Sequence, residues 1–71
     1  MSKRKIQNNI RKLRFNADEM TQKDLADLVG VSRQTIVAIE KGNYSPSLEL
    51  AFKLAIVFGK SLDEVFTYVE G

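Results

Sequence analysis

The chain contains no cysteine and no histidine. Their absence excludes disulfides, thiol redox chemistry, zinc sites built from Cys or His, and catalysis by Ser/His or Cys/His pairs. The ionisable side chains that remain are carboxylates, Lys, Arg and Tyr, and no pair of them marks out a cleft, so neither an enzyme nor a cofactor is expected. A long apolar run is also lacking. The richest stretch, Leu48 to Phe58, is short and carries Glu49 and Lys53, so it does not suit a membrane span. Met1-Ser2-Lys3-Arg4-Lys5 is basic but runs into Gln7-Asn8-Asn9 instead of an apolar segment. A signal peptide is therefore not expected, and the expected location is the cytoplasm.

What is present suits one small domain, residues 1–71, because 71 residues leave no room for a second core. Eleven Lys and Arg against nine Asp and Glu give a net charge of +2, which by itself says little. The distribution says more. Lys3, Arg4, Lys5, Arg11, Lys12 and Arg14 fall in residues 1–14 with no acid among them, and Asp18, Glu19, Asp24 and Asp27 follow. A basic end of this kind fits either a polyanionic partner or a solvated tail.

Helix caps punctuate the chain. Ile6, Ile10, Leu13 and Arg14 follow a helical period and predict a first helix over about residues 6–15. Thr21 with Asp24 reads as an N-cap with an acid three positions on. It opens a second helix with Leu25, Ala26, Leu28 and Val29 on its apolar face and Gly30 as its stop. Ser32 caps a third helix from Arg33 to about Lys41, with Ile36 and Ile39 inward and Gly42 beyond it. Pro46 biases Ser45 away from helix, Ser47 caps a fourth helix over 48–58, and Ser61 with Glu64 forms a capping box for a short fifth helix ending near Phe66. The fold class expected is all-α with five helices. The alternating tail Phe66-Thr67-Tyr68-Val69 has the pattern of a strand that could pair with the N-terminal segment in a short β-ribbon.

The second and third helices, over about residues 21–41, are joined only by the stretch around Gly30-Val31-Ser32. So tight a link sends the third helix away at a steep angle, the geometry of a helix-turn-helix. In that arrangement the third helix lies in the major groove of DNA. Its outer face would carry Arg33, Gln34, Val37, Ala38 and Lys41, a set without a carboxylate. Arg bonds guanine bidentately, Gln bonds adenine in the same way, and small apolar side chains touch the thymine methyl.

The run Thr21-Gln22-x-x-Leu25-Ala26-x-x-x-Gly30-Val31-Ser32-x-x-Thr35-Ile36-x-x-Ile39-Glu40-x-Gly42, followed by Pro46-Ser47-Leu48, resembles the Cro/CI-type (XRE-like) helix-turn-helix family. More closely, the chain is similar to its short single-domain prokaryotic regulators, over roughly residues 6–66. The resemblance implies a five-helix, lambda repressor-like DNA-binding domain. It implies that Arg33 and Gln34 read bases with Val37 and Ala38 beside them. Gln22, Ser32, Thr35, Lys41 and Asn43 would bind backbone phosphates, and Glu40 would pair with an arginine of the first helix, for which Arg14 is the candidate. The chain departs from the family between its first two helices, where Phe15 to Met20 is one residue longer than the common form and lacks its usual glycine.

The fourth helix has more apolar surface than one face can bury. Ala51, Leu54, Ala55 and Phe58 form one stripe, and Leu48, Phe52 and Ile56 form another. The fifth helix and tail could cover the second stripe. Alternatively, Phe52, Ile56, Phe66 and Tyr68 would form a homodimer interface. Two-fold symmetry would then present two recognition helices to a palindrome. The reading this supports is a homodimeric repressor binding double-stranded DNA, with no small-molecule effector evident. A different reading is an antitoxin-like or coactivator-like adaptor on the same scaffold, whose main partner is another protein.

Overall fold

The computed structural model describes residues 4–70. Lys3, part of the basic N-terminal segment, lies outside the described residues. In chain order the elements are β1 (Arg4–Asn8), α1 (Ile10–Asn16), α2 (Gln22–Val29), α3 (Arg33–Glu40), α4 (Leu48–Phe58), α5 (Leu62–Val65) and β2 (Phe66–Glu70). The domain is helical, with one two-stranded antiparallel ribbon that ties the two ends of the chain together.

The caps work as their residue types require. Thr21 Oγ1 accepts from the Asp24 N–H at 2.9 Å while the Asp24 carboxylate accepts from the Thr21 N–H, satisfying two donors that α2 leaves open. Ser32 and Ser47 accept from the Thr35 and Leu50 N–H groups. Gly30 ends α2 in the left-handed region at φ 76°, where a side chain would be strained, and the Val31 N–H returns to the Ala26 carbonyl at 3.0 Å. Gly30 thus turns the chain out of α2 toward Ser32, the N-cap of α3.

One face of every helix converges on a common core of Ile10, Leu25, Ala26, Val29, Ile36, Ile39, Leu50, Leu54, Ala55 and Val65. Leu28 does not join it. Although apolar and on the side of α2 next to Leu25, it is largely exposed and shares a shallow hollow with Ile56 and Val57 of α4.

The first helix begins later than its periodicity predicts. Ile6 lies in β1, opposite Tyr68, and α1 starts only at Ile10. Ile6 and Ile10 are four apart, a spacing that suits one face of a helix and also one face of a strand, so the pattern alone could not separate them. Long-range bonds decide it. The Asn9 N–H donates to the Val65 carbonyl at 2.9 Å, and the Asn9 amide donates to the Glu64 carbonyl at 3.0 Å. Asn8 donates to the Ile39 carbonyl at 2.9 Å and accepts from the Ile10 N–H at 3.2 Å. Asn8 therefore starts α1 and latches the ribbon to the last turn of α3.

Candidate nucleic-acid interface

With Ile36 and Ile39 buried, the rest of α3 is turned outward. Arg33 and Gln34 in its first turn are exposed, and Val37 and Ala38 are half-buried on the same side. No acid stands in that first turn, so the positive end of the helix dipole is left uncompensated, whereas α2 carries Asp24 there. Beyond α3, Lys41 and Asn43 are exposed, and the Asn43 N–H closes the helix on the Ala38 carbonyl at 2.9 Å. Ser32 and Thr35 have their hydroxyl oxygens 3.0 Å apart. Whichever donates to the other, one hydroxyl hydrogen is left to donate to an outside acceptor.

A shallow concave surface runs from α1 across the start of α2 to α3. Its lining includes Arg11, Lys23, Gln22, Arg33, Val37 and Lys41. At its floor Arg14 and Glu40 meet. Arg14 Nε donates to Glu40 Oε2 at 2.7 Å and a terminal nitrogen donates to Oε1 at 3.1 Å, a bidentate pair with side chains 14% and 9% exposed. The other terminal nitrogen donates to the Met20 carbonyl at 2.8 Å. Arg14 thus clamps the α1–α2 linker and α3 together, and removing one side of so covered a pair costs about 3 kcal/mol. Gln22 joins the cluster, donating from Nε2 to Glu40 Oε1 at 3.2 Å.

The linker that departs from the family pattern folds around this clamp. Asp18 and Glu19 both take left-handed backbone, at φ 56° each, and the Met20 N–H returns to the Arg14 carbonyl at 2.9 Å. Two consecutive non-glycine residues in that region are strained. Arg14 reaches Glu40 across this linker.

The sequence profile of the helix-turn-helix family matches residues 10–65, most of the chain. An uncharacterised HTH-type transcriptional regulator of Methanocaldococcus jannaschii is 61% identical over 49 residues, covering 69% of this chain and 74% of its own. YgzD, an uncharacterised HTH-type transcriptional regulator of Bacillus subtilis, is 43% identical over 61 residues, covering 86% and 91%. RstR, a transcriptional repressor of the cryptic phage CTXphi in Vibrio cholerae, is 41% identical over 56 residues, covering 79% of this chain and 50% of its own. The chain belongs to the Cro/CI-type (XRE-like) helix-turn-helix family of transcriptional regulators.

In this helix-turn-helix protein, α2 and α3 bring Gln22, Arg33, Val37 and Lys41 to one concave surface, with Ser32, Gln34, Thr35, Ala38 and Asn43 placed along α3 and at its two ends. The structure adds Arg11 and Lys23, which the motif does not mark. Arg11 lies one helical turn before Arg14, so the spacing that brings Arg14 to α3 also brings Arg11 to the same side of α1. That spacing was the available signal. Lys23 is bonded at 3.0 Å to Asp27, one turn along α2.

Away from this surface a second region is apolar. Leu48, Phe52 and Ile56 are 67%, 49% and 75% exposed along one side of α4, and Tyr68 is 64% exposed. Neither α5 nor β2 covers the α4 stripe. Phe66 is half-buried and, with Tyr68, Ile6, Leu48 and Leu62, lines an open apolar hollow between the ribbon and the start of α4. No described helix is long and apolar enough to cross a membrane.

Proposed function

We propose that this DNA-binding regulator is a homodimeric repressor that reads a palindromic operator by placing α3 of each protomer in the major groove. The observation that carries the DNA-reading part is the outer face of α3: exposed Arg33 and Gln34 at an N-terminus without an acid, followed by small Val37 and Ala38. Those residue types match the hydrogen-bonding and methyl pattern of base edges, and the small pair lets the helix approach them closely. Arg33 and Gln34 read bases. Gln22, Ser32, Thr35, Lys41, Asn43 and Arg11 hold the flanking phosphates, which fix register without specifying sequence. RstR, a transcriptional repressor, favours repression as the sense of regulation.

The exposed apolar stripe of α4 supports the dimer. Phe52 and Ile56, with Phe66 and Tyr68 of the ribbon, form its contact, and Glu49 and Lys53, 3.3 Å apart on the same helix, supply charges that a two-fold axis could exchange between protomers. The basic outer surface and the apolar stripe divide the molecule's work: one grips the duplex, and the other sets the distance between two copies. Occupying a promoter in this way would block transcription. Cytoplasmic location follows from a DNA target.

In-vitro selection from a random duplex library tests this reading. Enrichment of a two-fold-symmetric motif with half-sites about 34 Å apart, one helical turn, is the expected result. Folded protein that enriches no sequence would favour the adaptor reading, in which the same scaffold serves a protein partner.

A further inference from the structure

We infer that Glu40 is a positioning residue for DNA binding: it holds the Gln22 side-chain amide in place, in the free protein, as a ready-made donor to a backbone phosphate. The inference rests on the reading of the α1–α3 surface as the DNA-binding face. A carboxylate on a surface that takes phosphates opposes binding unless its charge is occupied. Here both oxygens of Glu40 are bonded to Arg14, at 2.7 and 3.1 Å, and Oε1 also receives Gln22 Nε2 at 3.2 Å. An ionised carboxylate only accepts, so the bond to Glu40 selects the NH2 end of the Gln22 amide and determines which way the amide faces. Nε2 carries two hydrogens, and the second diverges in the plane of the amide. Among the described residues, neither that hydrogen nor the Gln22 amide oxygen has another side-chain partner.

The advantage is entropic. A free glutamine on a surface samples many rotamers and gives them up when it meets a phosphate. Gln22 gives them up when the domain folds, because Glu40 is itself held by Arg14 and Arg14 by the Met20 carbonyl. Binding then finds the donor already oriented. Phosphate contacts of this kind are independent of sequence, so they are measurable without knowing the operator.

Two measurements test the inference. The first uses the unmodified protein without DNA: side-chain 15N relaxation of Gln22 against Gln7 and Gln34, both of which are exposed. A Gln22 amide as ordered as the backbone, beside two mobile amides, is expected. Equal mobility of all three overturns the inference. The second is a double-mutant cycle on binding to mixed-sequence duplex DNA at low salt, at a temperature where every variant is folded. Gln22→Ala and Glu40→Gln should each weaken binding about tenfold, and Glu40→Gln should cause no further loss once Gln22 is Ala. Equal losses in both backgrounds, or none from Glu40→Gln in the native background, overturn it. Val65→Ala, which opens a cavity in the core at a side chain proposed to touch neither DNA nor a second copy, should lower Tm while leaving the affinity of the folded protein unchanged. Failure of the unmodified protein to bind the duplex would instead remove the DNA-binding reading, and the relaxation experiment would still report on Gln22.

Discussion

Helix α3, proposed to read DNA, and the helix that follows it, α4, are alike on the inside and opposite on the outside. Each buries an aliphatic face in the common core, Ile36 and Ile39 from one, Leu50 and Leu54 from the other. Outward, α3 shows Arg33 and Gln34 with no carboxylate in its first turn, and α4 shows Leu48, Phe52 and Ile56. The inner faces make the fold, and they would do so whatever the outer faces carried. In the proposed reading the outer faces determine the chemistry of the partner: a hydrated polyanion for α3, and a dry apolar surface for α4. A small domain thus separates stability from function by helix face.

The separation can be attacked first from the inside. Ile36→Ala or Leu54→Ala should cost about 2–5 kcal/mol by leaving a cavity, a large part of the stability of a domain this size, and thermal or denaturant unfolding would show it. If either helix tolerated the change, the shared-core half of the comparison would fail. Next in size is Phe52→Asp, which should leave the helical circular-dichroism spectrum unchanged because the monomer leaves the ring half exposed. It should nevertheless convert the dimer to monomer in sedimentation and weaken operator binding on the order of 100-fold through lost bivalency. An unchanged sedimentation coefficient at micromolar concentration would remove Phe52 from the interface.

A smaller effect is expected on the other outer face. Arg33→Ala should cost about 1–3 kcal/mol and relax preference at a single base position, read by repeating the selection with the variant. A loss spread evenly over all sequences would move Arg33 from base reading to phosphate holding. Glu19→Gly sharpens the contrast further. Relieving left-handed strain against the added flexibility of glycine should raise stability by about 0.5 kcal/mol, and removing an acid from the rim of the DNA face should tighten binding at low salt. The smallest effect concerns Glu64, whose carboxyl is held below the usual carboxylate range, first by the Ser61 backbone N–H and then by its hydroxyl. A lowered folded pKa means that its stabilising contribution is present above the unfolded value and is lost as pH falls through the folded one. The Tm difference between native protein and Glu64→Gln should therefore shrink on acidification, without any change in DNA preference at neutral pH.

Much of this was legible along the chain because it is local. Thr21, Ser32 and Ser47 sit where a helix must begin, since each supplies a side-chain oxygen to an N–H three residues away, and Ser61 starts α5 by donating from its own N–H and hydroxyl to the Glu64 carboxylate. Gly30 ends α2 because a left-handed residue is needed there. The tail's alternation likewise pointed to β2. Periodicity failed where it was ambiguous. Ile6 fitted a helix and a strand equally, and Leu28 lies beside the buried face of α2 without being covered by anything. At the proposed DNA face, the motif marked the residues of α2 and α3, but it passed over Arg11, whose place depends on how α1 is docked.

By itself the sequence determined the existence of the five helices, most of their caps, the tight turn before α3 and the acid-free first turn of that helix, all of which depend on residues within one or two turns of each other. Tertiary structure decided the rest. Asn8 became the latch between the ribbon and α3, Arg14 met Glu40 across a linker with left-handed Asp18 and Glu19, and Gln22 acquired a partner eighteen residues away. The α4 stripe was also left uncovered. Each of these is a contact, or a missing contact, between segments distant in sequence, and only the packing of the whole chain brings such segments together or keeps them apart.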